Sequence, residues 1–157
     1  LNMIVNLNIN NQERQVEIKP AERLIDVLRR EGFFSVKEGC RKGNCGACVV
    51  LLDGSPVNSC LIFAARCEGR RIETAESLGS TENLHPLQKA FLDEGAIQCG
   101  YCTPGMLLSA KGLLNENPHP AEDDIKKALD GNLCRCTGYV KIIKAVQKAA
   151  EAIGKTR

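Results

Sequence analysis

Apolar and polar residues alternate at the start of the chain. Val5, Leu7 and Ile9 fall on one face of an extended segment, and Val16 and Ile18 repeat the alternation beyond Asn10-Asn11. That pattern predicts a half-buried β-hairpin. Pro20 then opens a helical stretch with Leu24, Val27 and Leu28 at i, i+3 and i+4, which Gly32 stops. Residues 35–48 carry Gly39, Gly43 and Gly46 among three cysteines, a composition that suits neither helix nor strand and predicts a loop with a chemical task. Val49–Leu52 reads as a strand, Asp53-Gly54 as a turn and Pro56-Val57 as the return strand. Leu61, Ile62, Ala64 and Ala65 predict a short helix, and Arg71–Thr74 a last strand.

Beyond Ser77-Leu78-Gly79-Ser80 the period changes from two to about 3.6 residues. Four amphipathic helices follow, marked by Leu84, Leu87, Phe91 and Leu92; by Met106, Leu107, Ala110, Leu113 and Leu114; by Ile125, Ala128 and Leu129; and by Ile142, Ile143, Val146, Ala149, Ala150 and Ile153. Thr103-Pro104 offers an N-cap and a first-turn proline, Glu122-Asp123-Asp124 places acids where a helix dipole favours them, and Asn117–Pro120 is a break. The chain thus divides into an α+β module, residues 1–78, and a helical module, residues 79–157, built as a four-helix bundle.

Composition removes several function classes. Of 157 residues, 21 are Lys or Arg and 19 are Asp or Glu, for a net charge of +2. Residues 1–76 hold 11 basic and 10 acidic side chains, so there is no basic arm for nucleic acid. No apolar run reaches the roughly 18 residues of a membrane span and no basic-then-apolar leader is present, so the expected location is cytoplasmic. No G-x-G-x-x-G follows a strand and no phosphate loop occurs, which argues against a nucleotide site. Aromatics are only 4% with no Trp, so something besides large side chains must help to hold the interior.

Nine cysteines are the candidates. Cys40, Cys45, Cys48 and Cys60 are spaced C-x4-C-x2-C with the fourth after a strand and turn; Cys99, Cys102, Cys134 and Cys136 form C-x2-C and C-x-C pairs; Cys67 stands apart. A disulfide framework needs an oxidising compartment. Structural zinc generally uses two C-x2-4-C knuckles, which the first set does not offer. Iron-sulfur ligation suits that set, since its spacing is that of plant-type 2Fe-2S ferredoxins. A thiolate-bound cluster is anionic, and glycine lets backbone N–H groups approach it. Gly39, Gly43 and Gly46 lie in or beside the first loop, with Arg41 and Lys42 adding positive charge, and Gly100, Gly105 and Gly138 lie in corresponding places in the second set. Both cysteine pairs of that set precede predicted helix N-termini, which present free N–H groups to an anion. His85 and His119 read as turn or surface residues, Cys67 as a small buried hydrophobe, and Arg135 either as a solvated charge or as a support for the cluster's charge.

The strings Gly39–Cys48, Ser59-Cys60, Gln98–Gly105 and Asn132–Tyr139 together resemble the iron-sulfur subunits of the molybdenum hydroxylases, the family of xanthine dehydrogenase, aldehyde oxidoreductase, carbon monoxide dehydrogenase and nicotinate dehydrogenase. The resemblance spans nearly the whole chain. It implies a ferredoxin-like β-grasp domain followed by a four-helix bundle, each holding a 2Fe-2S cluster on its four cysteines. It also implies that molybdopterin and FAD sit on partner subunits, a large and a medium one. Electrons would pass from molybdenum through the bundle cluster and then the ferredoxin-like cluster to FAD, with Gln98 and Cys136 against the pterin. The chain itself shows no base, nucleophile or substrate pocket, so it is expected to be a conduit within an oxidoreductase. The substrate expected is an aromatic N-heterocycle such as nicotinate or xanthine, with aldehyde, aromatic thioester or carbon monoxide oxidation as alternatives. A free-standing ferredoxin-like carrier and a zinc-held interaction module are the competing roles.

Overall fold

A computed structural model of the chain describes residues 2–155. The opening hairpin pairs β1, Met3–Ile9, antiparallel with β2, Gln12–Ile18, Val5 lying opposite Val16. Asn10 and Asn11 both take positive φ, 53° and 63°, the left-handed pair that fits a two-residue turn to the twist of its strands. The same device recurs between β3, Val49–Leu52, and β4, Ser55–Asn58, where Asp53 and Gly54 have φ of 51° and 86°. The Asp53 carboxylate also accepts from the Arg71 amide at 2.9 Å, tying this turn to β5, Arg71–Glu73. The five strands lie in the order β2-β1-β5-β3-β4; β1 and β5 run parallel and the other pairs antiparallel.

Helix α1, Leu24–Arg30, buries Leu24, Ile25, Val27 and Leu28 in one core with Leu7, Ile9, Val50 and Ile72. It starts four residues later than Pro20. The Leu24 amide donates to the Ile62 carbonyl, the Ala64 amide to the Glu22 carbonyl, and Arg23 bridges Phe63, so tertiary pairing holds both segments extended. For the same reason the expected helix at 61–65 is two 3-10 turns, Ser59–Leu61 and Ala64–Cys67, with Ile62 and Phe63 extended between them.

All four later helices form: α2, Pro86–Asp93; α3, Thr103–Glu116; α4, Glu122–Leu129; and α5, Val140–Lys155. Glu122, Asp123 and Asp124 occupy the first turn of α4 as expected. Thr103 does not cap α3. It is the first helical residue, and Cys102 stands at the boundary with no side-chain cap bond. Phe91, Met106, Leu108, Ile125, Ile142 and Val146 make a second core, and Val49 and Leu51 belong to it. Strand β3 is therefore buried on both faces, Val50 and Leu52 toward α1 and Val49 and Leu51 toward the helices. This explains an uninterrupted Val-Val-Leu-Leu where a one-sided strand would alternate. Helix α3 can lie on β3 and β4 because Gly112 has no side chain: a Cβ there would come 2.9 Å from Pro56 Cδ. Lys111 on α3 adds an ion pair to Glu73 on β5 at 2.6 Å. The result is a mixed α/β fold, a small sheet with five helices, in which no described helix is long and apolar enough to cross a membrane.

Candidate metal centres

The loop leading to β3 carries Cys40 and Cys45, both half-buried, and takes left-handed φ at Arg41, Gly43 and Gly46. That winding aims backbone N–H groups at sulfur: the Lys42 and Asn44 amides lie 3.4 and 3.3 Å from Cys40 Sγ. Those two donors, which favour the anion, bring the Cys40 thiol down to about 6. Arg41 is committed elsewhere. Its guanidinium binds Glu38 at 2.7 Å and also Asp26 on α1, so it braces the loop against the helix rather than standing free as a counter-charge. Cys48, just ahead of β3, and Cys60, in the turn after β4, are buried. They meet because the Ser59 hydroxyl and amide both donate to the Cys48 carbonyl, at 2.7 and 3.2 Å. Burial, with Cys60 alongside, pushes the Cys48 thiol up to about 11.

The second set gathers at the starts of α3 and α5. Cys99 and Cys136 are exposed with their sulfurs 3.6 Å apart, and Gln98 beside them is exposed. Cys102 lies against Cys134, and burial followed by that neighbour pushes Cys102 up to about 12. Burial also acts upward on Cys134, but the Thr137 hydroxyl, 3.1 Å from its sulfur, and the Thr137 and Cys136 amides outweigh it and hold the thiol below its usual value. Cys136 is raised by its contact with Cys99. Gly138 and Tyr139 both take left-handed φ, 65° and 69°, and turn the chain from Cys136 into α5 while the Tyr139 hydroxyl accepts from the Cys134 amide at 2.8 Å.

The sulfurs thus come together in twos: Cys40 with Cys45, Cys48 with Cys60, Cys99 with Cys136, and Cys102 with Cys134. A tetrahedral single-ion site collects four donors about one point, whereas a 2Fe-2S cluster takes two thiolates on each iron. Among the described residues no three of His, Cys, Asp or Glu converge as a single ion would need. The donor set, with amides aimed at Cys40 Sγ, fits two di-iron clusters.

Cys67 is buried in the sheet-side core. His85 caps α2, its Nδ1 accepting from the Leu87 amide at 3.1 Å, while His119 is exposed beyond Pro118. Arg135 is exposed between Cys134 and Cys136. Gly46 and Gly105 serve contact rather than approach to an anion: a Cβ on Gly46 would lie 2.4 Å from the Gly131 carbonyl oxygen, and one on Gly105 would lie 2.3 Å from that of Gly46. The sequence assigns no role to Asn58, whose Nδ2 donates to the Gly43 carbonyl at 3.2 Å, or to the pair Ser109 and Asn132. Asn132 opens one of the strings that carry the resemblance, but the partners of all three lie 15 or more positions away, so no local pattern shows what they do.

Family models for a 2Fe-2S iron-sulfur cluster binding domain and a 2Fe-2S binding domain match residues 7–78 and 74–147. The nicotinate dehydrogenase small FeS subunit of Eubacterium barkeri is 49% identical over 148 residues, covering 94% of each chain. The aldehyde oxidoreductase of Megalodesulfovibrio gigas is 44% identical over 151 residues, 94% of this chain but 17% of that longer one. Among solved structures, quinoline 2-oxidoreductase from Pseudomonas putida 86 superposes with a TM-score of 0.93 at 43% identity, covering 98% of this chain and 97% of that one.

Proposed function

Since the chain belongs to the 2Fe-2S subunits of the molybdenum hydroxylase family, we propose that its eight paired cysteines are the cluster ligands and that they set the direction of electron flow. The chain is the electron-transfer subunit of such an oxidoreductase, with molybdopterin and FAD carried by partner subunits. Cys40, Cys45, Cys48 and Cys60 hold one cluster in a β-grasp-like domain, residues 1–78; Cys99, Cys102, Cys134 and Cys136 hold the other in a helical domain, residues 79–157. When bound, each cluster supplies a one-electron store. The protein supplies thiolates, the N–H donors that favour their charge, and walls that set exposure. The observation that carries this reading is the gathering of eight thiols, from separate stretches of chain, into four pairs at two sites.

Cys99, Cys136 and Gln98 form the open side of the second site and face the molybdopterin subunit, where Tyr101, Leu133 and Val140 offer exposed apolar contacts. The first loop, flanked by exposed Phe34, Leu61 and Phe63, faces the FAD subunit. Electrons therefore enter at the Cys99 set and leave at the Cys40 set. The substrate of the complex is an aromatic N-heterocycle of the nicotinate type, a reading supported by the names of the nicotinate and quinoline relatives, with an aldehyde as the second candidate. A cytoplasmic location suits thiols that must stay reduced.

Metal analysis of the anaerobically purified complex tests the ligand assignment: about four iron and four sulfide per chain are expected from two 2Fe-2S clusters, and zinc without sulfide overturns it. Cys45→Ser should leave the Cys99-set cluster reducible by substrate but stop reduction of FAD. Cys102→Ser should stop electrons before either the other cluster or FAD is reduced. Full flux in either variant contradicts the proposed order. Turnover of nicotinate but not of an aldehyde by the same complex supports the substrate class, and the reverse result replaces it.

A further inference from the structure

The two cysteine loops touch directly, through one backbone hydrogen bond and one from a side chain. The Leu133 amide donates to the Cys45 carbonyl at 2.9 Å, and the Tyr101 hydroxyl donates to the Glu38 carbonyl. Cys45 belongs to the first set, and Leu133 directly precedes Cys134 of the second. A route of covalent bonds with a single hydrogen bond in it therefore runs from Cys45 Sγ to Cys134 Sγ.

Beside this bridge lies a buried polar pair. Ser109 on α3 and Asn132 are each only 3% exposed. The Ser109 hydroxyl donates to Asn132 Oδ1 at 2.8 Å, and Asn132 Nδ2 donates to the Gly46 carbonyl at 3.1 Å. The orientation of the amide follows from chemistry: a backbone carbonyl can only accept, so Nδ2 must face Gly46 and Oδ1 the hydroxyl. A buried amide costs free energy unless it is hydrogen-bonded, so a role in packing alone would be met better by an apolar residue. What the amide adds is a fixed position for the loop. Gly46 is pressed from both sides, by the Gly131 carbonyl and by Gly105, and the clamp holds it at the point where a one-residue displacement would pull the Cys45 carbonyl off the Leu133 amide.

We propose that Asn132, oriented by Ser109, is a positioning residue for the electron step between the two thiol sites, holding the Cys45 carbonyl against the Leu133 amide so that the two sites are electronically joined. The proposal rests on the cluster assignment above. In the step it serves, one electron leaves the reduced centre of the Cys99 set and one arrives at the oxidised centre of the Cys40 set, with no bond made and no proton moved.

The test uses the loaded complex carrying Asn132→Ala or, more mildly, Ser109→Ala. Iron and sulfide content and the EPR signal of each reduced cluster in the unaltered complex test the cluster assignment; their absence overturns that reading and not the clamp. The clamp is read in three ways: deuterium exchange at the Leu133 amide, the spin–spin splitting between the two reduced clusters, and the rate at which an electron injected at one redistributes to the other. With both clusters retained, amide exchange should speed by about tenfold in Asn132→Ala and less in Ser109→Ala, as expected for a lost hydrogen bond or its loosened support. Splitting should diminish and redistribution slow several-fold, in the same rank order. A fully loaded variant in which splitting and redistribution match the unaltered complex overturns the proposal, whatever its amide exchange. Failure of both variants to assemble the clusters overturns it too, since the pair would then be structural.

Discussion

His85 shows how a single side chain can make helix stability depend on pH. Its Nδ1 accepts from the Leu87 amide while Gln88 Oε1 accepts from the His85 amide at 2.9 Å, a reciprocal cap on α2. Burial, assisted by repulsion from Lys111, lowers the ring's pKa below its usual value. A group depressed in the folded state contributes stability above its unfolded pKa, roughly 6.5, and loses it as pH falls through the folded value. His85→Asn keeps a capping oxygen without the titration, so the stability difference between wild type and variant should shrink on alkaline urea melts and shift in favour of the variant on acidic ones. His85→Ala should cost about 1 kcal/mol near neutrality. Glycine gives a sharper contrast. Gly46→Ala meets a backbone carbonyl and a left-handed φ together, for a loss of about 3 kcal/mol or more, whereas Gly69→Ala, at φ 67° with open space around it, should lose only about 1 kcal/mol. Equal losses in the same melts would refute the close-contact role of Gly46. Neither role can be read from a lone glycine in a loop, because the atoms that crowd Gly46 come from Gly131 and Asn132, far along the chain.

Elements were legible wherever a local pattern settled them. Asn10-Asn11 and Asp53-Gly54 announce their turns, and the i, i+3, i+4 spacing announces four late helices. The failures lie where distant backbone took precedence. Leu61 to Ala65 have helical composition, yet Ile62 and Phe63 are extended because the chain ahead of α1 pairs with them. Val49–Leu52 is the most consequential element, since it walls both cores. Leu51→Ala should cost about 2–5 kcal/mol as a core truncation and, because Leu51 packs with the helices while its neighbours Val50 and Leu52 pack with α1, should lower the sheet and helix transitions together. Deuterium exchange during denaturant melts checks this: protection lost in α3 while β1 stays protected would show that the two cores unfold separately.

Over the whole molecule, the cysteine spacing announced two thiol sets, but their direct abutment through Gly46, Asn132 and Leu133 was hidden, since it joins residues more than eighty positions apart. Charge gives little guidance to assembly, because basic and acidic residues nearly balance. Exposed apolar residues gather near each thiol set instead, with Leu133 and Val140 at 57% and 61% exposure near the second. Binding to the molybdopterin subunit should therefore change little with ionic strength, whereas Leu133→Asp should weaken it by about thirtyfold, the loss of one buried anchor. Co-purification at low and high salt, with titration of the separated subunits, measures both effects; strong weakening by salt would point to charge as the attractive force.

The unequal exposure of the thiols also bears on how the protein survives outside its complex. Cys99 and Cys136 are open to solvent, whereas Cys48 and Cys60 are sealed inside. A solitary chain brought into air should bleach in two stages, the helical-side centre surrendering its iron to oxygen well before the sheet-side one, as EPR of timed samples would reveal. The neighbour that receives the open pair would then act as a shield against oxidants as well as a source of electrons.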